Sequence, residues 1–237
     1  MFRFASLPRS RGTGSAALTA VAAALLLAVA PASTPFGASA LEAQFGIGLR
    51  AGSVGIGVDV GVALGERISL RAGGGALPFS TEQTLGDQDY TIEPPPALGV
   101  VGLDVQVAGP LRLTGGLMWR SDDITFETDV SGSTDIGGTT YTASGNLSGA
   151  LEGGSVAPYV GIGLGRIVGS GFGVYADLGV GIFGDPTLAL EASGPITDLP
   201  DFSASLEQER QDAEDDIPGA ARLWAALSVG VRFGVGQ

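Results

Sequence analysis

The chain has 237 residues, 40 of them glycine, carries 25 acidic against 12 basic residues for a net charge of −13 at pH 7, and contains neither cysteine nor histidine. That composition excludes disulfides, thiolate metal sites and cysteine nucleophiles, and it removes the commonest general base and transition-metal ligand. It also argues against a nucleic-acid partner, which needs a basic surface, and no cofactor is expected.

Residues 1–40 read as a secretory signal peptide. Arg3, Arg9 and Arg11 form a charged start and Ala16 to Ala30 an apolar core too short to span a bilayer as a helix. Ala38-Ser39-Ala40 fits a cleavage site, which makes Leu41 the expected mature start. Beyond it, nine arginines stand against all 25 acidic residues.

From there on the dominant signal has period two. In 54–64, Val54, Ile56, Val58, Val60, Val62 and Leu64 alternate with Gly55, Gly57, Asp59, Gly61 and Ala63. Successive side chains of a strand point to opposite faces, so one face here is aliphatic and the other is small or charged. The same alternation recurs at 45–50, 68–73, 101–107, 111–120, 160–165, 172–182 and 223–233, which makes eight strands. Tight turns are expected near Gly52-Ser53, at 65–66, at 108–110 and at 168–171, with long connections at 79–96, 121–157 and 184–221. The Gly/Thr/Ser-rich stretch 127–156 is compatible with either strand extensions or an irregular loop. In the last long connection, 202–217 has helical character, with Ser205 and Gln208 spaced as a capping box, Pro218 as a stop, and an acidic surface that predicts a solvated helix docking its apolar edge on the barrel rim.

These elements predict an all-β fold: an eight-stranded antiparallel transmembrane up-and-down β-barrel over 41–237 with one acidic loop helix. Short turns alternating with long loops are the outer-membrane pattern. The competing reading, a soluble sandwich, puts the aliphatic face between two sheets and the other face in water; a face made mostly of glycine suits a narrow lumen better. Arg50, Arg71, Arg112, Arg120 and Arg232 share that face with Asp59, Asp104 and Asp177. Enclosed charges must be paired, so a lumenal Arg–Asp network is expected, with Tyr159 and Tyr175 in it. Phe45, Phe79, Trp119, Phe172, Phe183 and Phe233 are the candidate interface aromatics.

The stretches at 45–73, 111–119, 157–165, 172–186 and 226–233, together with the acidic helix, resemble a family of small outer-membrane β-barrels of Gram-negative bacteria, built like the transmembrane domain of outer membrane protein A and the opacity proteins. The resemblance implies the fold and no particular activity. It also implies an assembly signal at the last strand's aromatic residue, here Phe233 followed by four more residues. The expected role is structural or surface-interacting, without catalysis, in contact with outer-membrane lipid, lipopolysaccharide and the barrel assembly machinery, as a monomer. A narrow channel or transporter for a small solute is the alternative. Gly179 to Gly184 matches a G-x-G-x-x-G phosphate loop, but Asp185-Pro186 follows it where a helix would be needed. Asp122 and Asp123 read as solvated loop charges.

Overall fold

The structure, a computed structural model, describes residues 44–78, 80–85 and 88–235; residues 1–40, expected to be a signal peptide, and Phe79 lie outside the described residues. In chain order, three strands come first: β1 (Phe45–Gly52), β2 (Ile56–Ala63) and β3 (Ile68–Ala76). The hairpin β4 (Thr81–Leu85) and β5 (Gln88–Glu93) leads to β6 (Ala97–Ala108) and β7 (Leu111–Arg120). Then come β8 (Ile124–Val130), the small hairpin β9 (Ser133–Ile136) and β10 (Thr139–Thr142), and β11 (Gly145–Glu152). β12 (Val156–Leu164), β13 (Gly171–Ile182), β14 (Thr187–Ser193), helix α1 (Phe202–Asp215) and β15 (Leu223–Val235) complete the chain.

Eight of these strands close into an antiparallel barrel in the order β1-β15-β13-β12-β7-β6-β3-β2. Closure is made by the first and last strands, in register from Phe45 opposite Val235 to Gly52 opposite Ser228. Pairing every edge leaves no free backbone donors on the barrel wall. The alternation read from the sequence is the wall's two faces: Ile47, Leu49, Val160, Leu178 and Val229 point out and are exposed, while Asp59, Arg71, Asp104 and Arg112 point in and are buried. No helix among the described residues is long and apolar enough to cross a membrane.

Among the aromatics, Phe172 is 72% and Phe233 63% exposed on the outer wall, and Phe45 is also exposed. Trp119 is half-buried beside Gly74, where an added Cβ would lie 3.6 Å from its ring. Phe183 departs from expectation: it turns inward and packs on the buried core.

The long connections are not irregular loops. They assemble a second, five-stranded sheet in the order β14-β11-β8-β5-β4, at the end of the barrel opposite the turns at 65–66, 108–110 and 168–171, the same end as the tight outer turn at Gly52-Ser53. Stretch 127–156 therefore continues as strands, and the alternation Ile124, Phe126, Thr128, Val130 against Thr125, Glu127, Asp129 is the signal for it. The apolar side of this region is closed by α1. Val130, Ile136, Tyr141, Ile196 and Phe202 are buried together, with Leu147, Ala192, Leu199 and Leu206 packed around them. Phe202 meets Tyr141 edge-on at 5.3 Å between ring centres.

That cluster corrects two expectations about the helix. It docks on the loop-built sheet, mainly against β14, rather than on the barrel rim. It also begins a turn before Ser205: its N-cap is Asp201, in the left-handed region at φ 61°, so the spacing of Ser205 and Gln208 is not a capping box. Ser205 lies inside the helix and accepts a 2.8 Å hydrogen bond from the Tyr141 hydroxyl. Burial of Phe202 sets where the helix starts, and a local cap does not.

Candidate functional site

Two regions concentrate polar chemistry: the barrel lumen and the sheet above it. The lumen is built by strand register. On β3, β6, β7 and β13 the inward positions bring Arg71, Asp104, Arg112 and Asp177 into one box. Arg71 Nη1 donates to Asp177 Oδ2 at 2.7 Å, and Arg112 Nη2 grips the other oxygen of the same carboxylate. Asp104 Oδ2 stands 3.5 Å from Arg71 Nε and 3.3 Å from Arg112 Nε, while its Oδ1 accepts from Thr114 Oγ1 at 2.6 Å. On the neighbouring β1 and β2, Arg50 Nη1 lies 3.5 Å from Asp59 Oδ1. The Tyr175 hydroxyl donates to Asp59 Oδ2 at 2.7 Å. Tyr159 is buried next to this layer, on its loop-sheet side.

Two of the expected network arginines sit elsewhere. Arg120 reaches past the end of β7 to Asp123, at 2.6 Å, and to the Gly154 carbonyl, and lies over the Phe183 ring. Asp123 is therefore a fixed partner and not a free loop charge. Arg232, near the tight-turn end, donates to the carbonyls of Gly169, Ser170 and Gly171 at 3.1, 3.4 and 3.3 Å, with no carboxylate partner among the described residues. Period two predicts which way a side chain points, but register and turn path choose its partner.

The charge layer is sealed on both sides. Towards the loop sheet, Leu98, Val100, Met118, Tyr159 and Ala226 are buried across the bore with Val54 and Leu77. Towards the tight turns, the β12–β13 connection folds back into the mouth. The β12–β13 ladder stops at Leu164 opposite Ala176, and Ile167, 1% exposed, tucks in with Val168. Gly46 and Gly61 make room for it: a Cβ on Gly61 would lie 2.9 Å from Ile167 Cγ2, and one on Gly46 would collide with the Ile167 carbonyl. Arg112 holds one end of the turn through the Gly165 carbonyl at 2.8 Å, and Arg232 holds the other. The expectation of a plain tight turn is corrected here. The signal for the inward fold is the pair Ile167-Val168, two large aliphatics where a water-exposed turn carries polar residues.

This plug makes a direct prediction. The chain has no cysteine, so a single Ile167→Cys variant can be probed cleanly with a water-soluble maleimide. Labelling of the folded barrel is expected to be at least about tenfold slower than for Ser170→Cys, because local opening must precede reaction. Equal rates would remove the plug.

The loop sheet presents a polar face. Cross-strand register aligns Thr91, Glu127, Ser148 and Glu191 in one row. A cavity of about 320 Å³ runs over them and is lined also by Glu93 and Glu152. Asn146 Nδ2 bridges Glu127 and Asp129 at 2.7 and 3.1 Å. The carboxylates do not converge on a metal site among the described residues. On the other side of the sheet, Arg210 of α1 bonds Glu207 at 2.8 and 3.0 Å, pairs with Glu214, and donates to the Leu188 carbonyl of β14 at 3.4 Å.

The hydrogen bonds from Arg210, and then from Gln211, hold the Glu207 carboxyl down at about 2, below its ordinary 4.5. A depressed folded-state value means that the pairing supports the helix above pH 4.5 and loses that support as pH falls towards 2. In an Arg210→Ala variant, the Glu207 carbon resonance is expected to titrate in the ordinary carboxylate range. A titration still centred near 2 would show that Arg210 is not the cause.

The architecture has counterparts among solved structures. It aligns with CarO2 of Acinetobacter baumannii at a TM-score of 0.56 and 18% identity, covering 81% of this chain and 98% of that one. With CarO of Acinetobacter baumannii the TM-score is 0.48 at 16% identity, over 81% and 97% of the two chains. With a major outer membrane protein from Thermus thermophilus it is 0.40 at 12% identity, over 81% and 99%. The CarO2 likeness is one of fold. No family model and no curated protein matches the sequence.

Proposed function

We propose that this chain is an outer-membrane β-barrel with a non-conducting lumen, whose role is structural or surface-interacting and is carried by the sheet and helix built from its long connections. The supporting observation is the pairing of an aliphatic outer wall with an interior of buried, ion-paired arginines and aspartates. In water, an apolar surface that encircles a barrel far exceeds what a soluble monomer exposes. In a bilayer it is the expected solvent-facing side, and closure satisfies every backbone group that lipid cannot. In this reading residues 1–40 direct export and are removed, Phe233 serves the assembly machinery, and the barrel works as a monomer in contact with lipid and lipopolysaccharide. Catalysis is not part of it: the chain has no histidine or cysteine, and the lumenal carboxylates are committed to arginines.

The rival role is a narrow channel. Purified protein in planar bilayers is expected to give no steady single-channel current, because both ends of the bore are filled by side chains. Reproducible unitary conductance would overturn the structural role in favour of transport. Recovery of the mature protein in the soluble periplasmic fraction would overturn the membrane reading itself.

A further inference from the structure

Most arginines of this acid-rich chain are matched. Among the described residues Arg50, Arg71, Arg112, Arg120, Arg210 and Arg222 face carboxylates, and Arg232 faces main-chain carbonyls. Arg67 and Arg166 differ: both are exposed, and neither has an ion-pair partner among the described residues. They also lie together. Arg67 ends the β2–β3 turn, Arg166 stands at the start of the inward-folding β12–β13 connection, and both line one crevice at the tight-turn mouth with Glu66, Ser69 and Gln106. Apart from these two arginines, Glu66 is the one charge in the connections of this end, 63–68, 106–111 and 164–172.

Arg166 is held in place. Its Nε donates to Gln106 Oε1 at 3.0 Å, and Gln106 Nε2 in turn donates to the carbonyls of Gly109 and Leu111. Behind it, Arg112 fixes the Gly165 carbonyl at 2.8 Å. The bond through Nε leaves the two terminal amino groups of Arg166 to grip an oxyanion. Ordering an exposed arginine costs side-chain entropy, and a second arginine beside it adds like-charge repulsion. A shared anion offsets both.

The neighbouring wall selects the kind of anion. Arg67 is followed by Ile68, which is exposed on the outer face and pairs with exposed Val105. Phe45, Phe172 and Phe233 are exposed on the wall at the same end, at the girdle level where lipid headgroups lie. The crevice, about 20 Å³, has room for a water and none for a headgroup, so a ligand of both arginines sits on its lip. A phosphodiester held there has the wall at Ile68 and Val105 for its acyl chains.

We propose that Arg67 and Arg166 clamp the phosphate of one anionic phospholipid in the leaflet at the tight-turn end. The inference rests on the bilayer reading of the outer wall, which fractionation tests separately.

The test is native mass spectrometry of the folded barrel, released from neutral detergent micelles that contain equal amounts of phosphatidylglycerol and phosphatidylcholine. The native chain is expected to keep one phosphatidylglycerol. Arg67→Gln and Arg166→Gln are each expected to weaken that retention about fivefold, the effect of one arginine near an anionic surface, and the double variant to lose it. Both positions are exposed turn sites, and the gel shift on heating reports that the variants fold. Arg222→Gln, at the opposite end, is expected to change nothing, and excess inorganic phosphate is expected not to displace the lipid. Equal retention of phosphatidylcholine, undiminished retention in the double variant, or displacement by inorganic phosphate would refute the proposal. A chain that inserts into vesicles and keeps no phosphatidylglycerol refutes it too, and leaves the bilayer reading standing.

Discussion

Replacing Asp177 by alanine is expected to cost about 3–5 kcal/mol of folding stability, the range for breaking a buried ion pair from one side. Asp177 is the shared acceptor of the lumenal box, bonded to Arg71 on one oxygen and Arg112 on the other. Both arginines are almost wholly enclosed. Without Asp177 the one carboxylate left to them is Asp104, at 3.5 and 3.3 Å. The box then holds two guanidiniums against one carboxylate, and neither solvent nor lipid supplies the missing charge. Asp177→Asn keeps the shape and one acceptor and is expected to fall between the native chain and alanine. Urea unfolding in phospholipid vesicles, followed by tryptophan emission and the gel shift of the heat-denatured form, measures both. A cost below about 1 kcal/mol, the scale of an exposed pair, would mean that the box is hydrated and its charges are screened.

The second large effect is on the opposite face. Leu178 is 53% exposed and lies in a row with Ile162 on β12 and Leu227 on β15, near the middle of the apolar wall. If that wall faces acyl chains, Leu178→Arg is expected to cost about 2–4 kcal/mol in vesicles, the depth-dependent range for a cation near the midplane. Leu178→Ala is expected to cost less. In a soluble protein, arginine at a half-exposed strand position changes stability by about 0.5 kcal/mol or less. The one substitution therefore discriminates between environments: an unchanged unfolding midpoint for Leu178→Arg would sink the membrane reading. The two variants also separate the two faces, since Asp177 and Leu178 are adjacent in sequence and point in opposite directions.

That adjacency shows what was legible in the chain. The alternation around Asp177 and Leu178 settles that β13 is a strand and which side is greasy, without any partner being known. The same holds for β2 and β15, whose predicted spans differ from the observed ones only by a residue or two at the ends. The acidic helix was also legible, but its start was not: the spacing of Ser205 and Gln208 is local, whereas Phe202 begins the helix because it has a pocket between Tyr141 and Ile196 to fill. Strands β8 and β11 carry their own alternation, diluted by glycine, serine and threonine, and only their pairing with β5 and β14 defines them.

The linear chain by itself determined the period-two pattern, and with it the number of wall strands, the sidedness of the residues within the spans that pattern marks, and the absence of histidine and cysteine chemistry; the inward aliphatics Leu98 and Val100 lie on the part of β6 that it left out. Only the closed barrel decided that Arg71 and Arg112 share Asp177, that Arg120 leaves the lumen for Asp123, that Arg232 clasps the Gly169–Gly171 carbonyls, and that Ile167 turns back to stop the bore. The physical reason is that side-chain direction follows from each residue's own backbone geometry. Partnership depends on register and curvature across strands far apart in sequence, such as β3 and β13, where Arg71 meets Asp177 across 106 positions.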